Sequence, residues 1–175
     1  MKLLLATACS LLFLASIATA QKSPPMVATG SIGGKTLSIK YGAPSVRGRK
    51  IFGDGGRISQ DPNYPVWRAG ADPATLFHTG ADLEINGLSV PKGDYSLYVL
   101  IADPDNWQLI INKQTGQWGL EYDQSKDLGR VKMTMSKPPA LIEQLKYEIT
   151  SSDATHGKIA LEWEQNIATV SVTVK

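Results

Sequence analysis

The sequence predicts an all-β fold, a single antiparallel β-sandwich or jelly-roll-like domain spanning residues 35–175. Three observations carry this. Apolar residues recur at every second position in one segment after another, the period of a half-buried strand rather than of a helix. Two consecutive segments, 95–102 and 107–112, are apolar at nearly every position, as strands covered on both faces are. Short clusters of Gly, Pro, Asn and Asp separate the segments, and no helices alternate with them.

Taken in order, the first 20 residues, MKLLLATACSLLFLASIATA, join one positive residue, Lys2, to an apolar run and then to Ala18-Thr19-Ala20. This is the three-part pattern of a secretory signal peptide, with cleavage expected after Ala20 and export to the periplasm or the extracellular space. The competing reading is a membrane anchor, but the run is short for a span and no second one follows. A lipidated Cys9 is a further alternative, although Ala6 stands where such a box usually has leucine. No arginine pair precedes the run, so a twin-arginine route has no support. Residues 21–34, QKSPPMVATGSIGG, carry too few apolar positions to pack and read as a flexible tail.

From residue 35 the period is two. TLSIKY sets Leu37, Ile39 and Tyr41 on one face against Thr36, Ser38 and Lys40 on the other. DLEIN buries Leu83 and Ile85, and Asn86-Gly87 and Lys92-Gly93-Asp94 then mark turns. YSLYVLIA and WQLIIN flank Asp103-Pro104-Asp105-Asn106, where proline fixes φ and the Asp and Asn side chains bond locally. Together they predict a central hairpin covered on both sides. RVKMTM buries Val131, Met133 and Met135. PALIEQLKYEI has Leu141, Ile142 and Leu145 at helical spacing, but Leu145, Tyr147 and Ile149 alternate, and the strand reading is preferred. KIALEWE buries Ile159, Leu161 and Trp163, and ATVSVTV alternates Ala168, Val170, Val172 and Val174 with hydroxyl residues.

Loss of residues 1–20 would remove the only cysteine, so the mature chain would form no disulfide and would depend on a hydrophobic core. The 155 residues beyond Ala20 suffice for one such core. The formal charge is +2, or +1 without Lys2, and there is no basic block. Composition therefore makes no electrostatic case for nucleic acid or an anionic membrane, and cleavage would leave no membrane anchor.

Several ordered blocks carry a resemblance. They are Tyr41 to Phe52, YGAPSVRGRKIF; then Trp67-Arg68-x-Gly70 with Thr75 seven residues after Arg68; INGLSVPKGDYSLYVL; WQLIINKQTGQWG; and LEWEQNIATVSV. Together they resemble the bacterial secreted family known as domain of unknown function 2911, over about residues 35–175. The resemblance implies an exported β-rich domain and carries no agreed activity, cofactor or catalytic set. Where members often read GANEAT, this chain has Gly70-Ala71-Asp72-Pro73-Ala74-Thr75, with proline in place of an acid. No role for that acid is carried over.

The candidates for chemistry are few. His78 and His156 are the only histidines and form no ligand-spaced pair, so no metal site and no cofactor is expected. Calcium around DPDN is the one metal alternative, though turns are the commoner use of those residues. No GxSxG elbow marks a nucleophile, and the glycine-rich FGDGGR (52–57) reads as a flexible turn more readily than as an anion nest. The aromatic and basic residues say more. Trp107 and Trp163 fall on apolar strand phases and read as core. Trp118, in the loop sequence KQTGQWG, can offer a flat ring to a ligand or plug a barrel end. Arg47 and Arg49 stand in phase, as a solvated face or as cation donors.

In Val66 to Thr79, VWRAGADPATLFHT, Trp67 and Arg68 take opposite faces, Gly70 and Ala71 to Ala74 are expected to turn the chain, with Asp72-Pro73 fixing that turn, and His78 returns. The expected ligand-binding set is Arg47, Arg49, Trp67, Arg68, His78 and Trp118, with Arg68, His78 and one of Arg47 or Arg49 converging on a polar group. The function this suggests is binding of a small or sugar-like ligand, hydroxylated or anionic. The alternatives are a hydrolase or isomerase on a cupin-like jelly roll, and an envelope structural or protein-interaction domain.

Overall fold

The computed structural model describes residues 22–175. The signal-peptide reading of residues 1–20, Cys9 included, lies outside the described residues. Within them the chain forms thirteen strands: β1 (Pro25–Ile32), β2 (Lys35–Gly42), β3 (Val66–Trp67), β4 (Ala71–Thr79), β5 (Leu83–Ile85), β6 (Leu88–Val90), β7 (Gly93–Leu100), β8 (Gln108–Asn112), β9 (Asp127–Lys132), β10 (Thr134–Ser136), β11 (Ile142–Ser151), β12 (His156–Glu164) and β13 (Asn166–Val174). Their pairings are all antiparallel and make two sheets. The first runs β1-β2-β4-β7-β8-β9 with β3 against β7; the second runs β11-β12-β13-β5-β6 with β10 against β13. This is the all-β sandwich that the period of two predicts.

Alternation explains the core. Leu37, Ile39, Phe77, Leu97, Val99, Leu109 and Ile111 of the first sheet join Leu83, Ile85, Leu145, Ile159, Leu161, Val170 and Val172 of the second in one buried cluster. Phe52, on the long loop after β2, sits among Trp67, Trp107 and Trp163, with ring centroids 5.4, 4.8 and 5.7 Å away. The segment with helical spacing, 142–151, is strand β11, as the alternation of Leu145 and Tyr147 requires.

Two expectations fail, each for a local reason. Residues 25–32 are no tail: β1 pairs with β2 along its whole length, from Pro25 opposite Gly42 to Ile32 opposite Lys35. Its order comes from the backbone ladder and from small residues. A Cβ on Gly30 would lie 2.6 Å from Ile149 Cγ2, so β1 closes tightly against β11. Gly33 and Gly34, both at positive φ (57° and 75°), form the two-residue turn that joins β1 to β2. Nor do Gly70 to Ala74 reverse the chain. β3 and β4 both run antiparallel to β7, with Trp67 opposite Val99 and Thr75 opposite Leu97, so the chain keeps its direction and the residues between swing out. Residues 72–75 of β4 bulge opposite Tyr41, between the pairs Gly42–Ala71 and Lys40–Leu76. Proline is tolerated there because a bulge releases it from donating to β2.

Candidate functional site

The central hairpin β7–β8 is buried on both sides, and the second cover is a loop. Ala74, Tyr98 and Ile110 point away from the sandwich interior yet are buried, packed with Val66, Leu100 and Tyr122. Residues 113–126, between β8 and β9, lie across them. The backbone N–H of Ala74 donates to the Gln117 carbonyl (3.2 Å), and that of Gly119 to Asp72 (3.1 Å). Asn63 Nδ2 donates to the Leu120 carbonyl at 2.6 Å. At the far end Tyr122 Oη donates to Asp127 Oδ2 (2.7 Å) and accepts from Arg130 Nη2 (2.8 Å). Burial first, and then the hydrogen bond to Asp127, push the Tyr122 hydroxyl pKa well up, so it stays a donor.

Arg68 enters this enclosure because its neighbour Trp67 does not. Adjacent residues of a strand take opposite faces, and Trp67 is fully buried between the sheets. Arg68 therefore turns outward, beneath the loop. A Cβ on Gly119 would lie 2.5 Å from Arg68 Cδ, so glycine is what lets the loop pass so close over the arginine stem. The guanidinium carbon lies 5.9 Å from the Trp118 ring centroid, within cation–π range. Its Nε and Nη1 are buried and have no hydrogen-bond partner among the described residues.

Gln117 stands in the same enclosure. Its Nε2 donates to Ser96 Oγ (3.2 Å) and Tyr98 Oη (3.1 Å), while its buried Oε1 has no partner among the described residues. Burial raises the Tyr98 pKa, and the Gln117 hydrogen bond and the Arg68 charge pull against it. The charge of Arg68 is thus felt at the hydroxyl that Gln117 holds. Buried polar groups are nearly always paired, and an unpaired one costs about 1–3 kcal/mol. Two donors and an acceptor under one loop match a group that accepts from a guanidinium and donates to an amide oxygen. A hydroxyl does both.

The rest of the Trp-Arg-x-Gly motif is framework. The Ala69 carbonyl accepts from Thr75 Oγ1 (3.0 Å) and from Tyr147 Oη (2.8 Å). A Cβ on Gly70 would sit 2.7 Å from Thr75 Oγ1 and block that approach. Complete burial drives the Tyr147 hydroxyl pKa far up, which keeps it a donor. Ala69 and Asp72 hold φ of 52° and 64°, where a non-glycine residue carries about 1–3 kcal/mol of strain. This bent segment sets the direction of Arg68.

Of the six residues expected to bind a ligand, the fold brings together Arg68 and Trp118, the latter 46% exposed. Trp67 packs in the core. His78 lies on the outer face of β4, exposed, with Nδ1 2.8 Å from Asp94 Oδ1 in the facing register position of β7. Arg47 and Arg49 belong to a turn docked on the start of β11, not to a strand face. The Arg47 N–H donates to Glu143 Oε1 (2.8 Å), and Arg49 Nη2 and Nε donate to the Ser45 and Val46 carbonyls (2.6 and 3.1 Å). The convergence expected of Arg68, His78 and one of these arginines is therefore corrected: the turn of Arg47 and Arg49 pairs with the other sheet. Gln117, Ser96 and Tyr98 are the site residues that the sequence reading missed.

Among the described residues no three His, Cys, Asp or Glu side chains cluster. In DPDN, the Asp103 carboxylate accepts from the Asp105 N–H (2.9 Å) and Asn106 Nδ2 (2.6 Å), which ties it to its own turn.

Fold and site together define an all-β sandwich domain with one outer face strapped by a loop over a partly buried arginine. Residues 23–172 match the family model described as Protein of unknown function (DUF2911), and the chain belongs to that family. No curated protein and no solved structure is significantly similar to it.

Proposed function

We propose that this protein is an exported binding domain for a small hydroxylated or anionic ligand, seated against Arg68 beneath the β8–β9 loop. The observation that carries the reading is that two buried Arg68 nitrogens, Nε and Nη1, have no partner among the described residues, and neither does the buried Gln117 Oε1 under the same loop. A guanidinium presents a rigid fork suited to a carboxylate, a phosphate or neighbouring hydroxyls. Trp118 adds a half-exposed flat ring for the ligand's apolar face. A sugar acid combines both features. Export rests on Lys2, the apolar run and Ala18-Thr19-Ala20; mass spectrometry of the processed protein is expected to find Gln21 at the N-terminus, and a lipidated Cys9 there would refute it.

Arg68→Lys tests the site, because it keeps the charge and loses the fork. Glucuronate, glucose and inorganic phosphate are titrated in turn against tryptophan fluorescence. Saturable binding of at least one by the native protein is expected, with that binding lost and thermal melting unchanged in Arg68→Lys. If none binds and Arg68→Lys lowers stability by about 1 kcal/mol or more, the loss of one partly buried charged hydrogen bond, Arg68 is scaffold.

A further inference from the structure

A second feature of the same outer face lies on the other side of the β4 bulge. The registers of β1, β2 and β4 set Val27, Lys40 and Leu76 in one cross-strand row, pointing away from the core. The bulge at residues 72–75 raises a wall beside that row, and Gly116 of the covering loop completes it. Between the bulge and β1 lies a groove of about 450 Å³, within the size range of small-molecule sites. Pro25, Met26 and Val27 line one side, and Pro73, Ala74 and Leu76 the other. Met26 and Val27 remain 43% and 58% exposed, two of the few large apolar side chains the fold leaves in solvent.

The charges around this groove are one-sided. Lys22 and Lys40 line it, and neither has an ion-pair or hydrogen-bond partner among the described residues, whereas Asp72 is the one acid in the lining. Lysine stems cover apolar surface while the ammonium group stays in water, so both residues can flank an apolar ligand and meet a negative head. We infer that this groove is a second ligand site, separate from the Arg68 enclosure, that takes a single-chain amphiphile with an anionic head such as a medium-chain carboxylate. A neutral chain would leave both ammonium groups without a partner, and a cationic head would meet two like charges.

The test is calorimetric titration of the purified protein with decanoate and with decyltrimethylammonium, each below its micellar concentration. Decanoate is expected to saturate one site, with the cationic amphiphile at least tenfold weaker. The double variant Lys22→Glu/Lys40→Glu, altered only at exposed positions, should melt normally and reverse that order. Leu76→Gln should weaken both amphiphiles, and Arg68→Lys should leave decanoate binding unchanged. Equal binding of the two amphiphiles, no saturable binding of decanoate, or binding indifferent to the lysine changes would overturn the inference. Loss of decanoate binding in Arg68→Lys would overturn the separateness of the two sites. Because glucuronate binding is measured independently, failure of either site is distinguishable from failure of the other.

Discussion

Between the sheets, Trp67, Phe77, Leu97 and Ile159 are enclosed by other apolar side chains, whereas beneath the β8–β9 loop Tyr98 and Ile110 share their enclosure with Arg68, Gln117 and Ser96. The same two strands, β7 and β8, supply both regions. Alternation sends Leu97, Val99, Leu109 and Ile111 inward and Ser96, Tyr98 and Ile110 outward. The inner region is filled by close-packed apolar volume, although its buried Trp67 Nε1 also lacks a partner among the described residues. The outer region holds buried donors and an acceptor without partners among the described residues, and two strained residues, Ala69 and Asp72, lead into it. Several local rules broken together in one place mark the candidate site.

The contrast can be broken or sharpened by substitution. The largest effect is expected inside: Trp67→Ala should cost about 3–5 kcal/mol in urea denaturation, the range for emptying a large aromatic position. A cost no larger than that of changes under the loop would remove the distinction between the regions. Gly119→Ala comes next. The new methyl would meet Arg68 Cδ at 2.5 Å and the Asp72 carbonyl at 2.7 Å. Overpacking of this kind costs about 1–3 kcal/mol, and the loop should lift, shifting Trp118 emission to the red. Unchanged emission would mean that the loop does not rest on the arginine. Tyr122→Phe removes one hydroxyl from the Asp127–Arg130 clasp and should cost about 1 kcal/mol. No loss at all would show that the loop is held by its backbone pairs alone.

The smallest effect lies on the surface and is set by pH. Hydrogen bonds from the Thr155 and His156 backbone N–H groups, and then from the His156 ring, hold the Asp153 carboxyl far below its ordinary 3.8. A depressed folded pKa stabilises above the unfolded value and loses that contribution as pH falls through the folded one. Asp153→Ala should therefore melt below the native protein at pH 6, with the gap closing progressively below about pH 3.8. A gap that stays constant down to pH 2 would assign the effect to lost turn geometry instead of charge.

Most of the sandwich was legible in the sequence because strand burial is a property of neighbours two apart. Leu37, Ile39 and Tyr41, or Ile159, Leu161 and Trp163, declare their face within a few residues. Strand β1 was not legible from apolar content, since Thr29, Gly30 and Ser31 contribute ladder and clearance rather than buried surface; the Gly33-Gly34 pair was the available signal. The turn expected at Gly70 to Ala74 was misread because Asp72-Pro73 has the composition of a turn and here forms a bulge. The site was legible only in halves. Arg68 and Trp118 lie on separate segments, and only the path of the covering loop brings them together. Gln117 reads as an ordinary loop amide until its partners Ser96 and Tyr98 are seen beneath it.

Whether the buried Arg68 N–H groups await a ligand or hold the fold can be measured without knowing the ligand. Arg68→Met keeps an unbranched stem against Gly119 and deletes Nε and Nη1. Each buried N–H without a partner costs about 1–3 kcal/mol, while the lost cation–π contact with Trp118 is worth about 0.5–2 kcal/mol. In urea denaturation of the ligand-free protein, Arg68→Met is predicted to unfold at the same midpoint as the native chain or a higher one. A midpoint lowered by the equivalent of about 1 kcal/mol or more would mean that the guanidinium stabilises the scaffold, contradicting its assignment to a ligand.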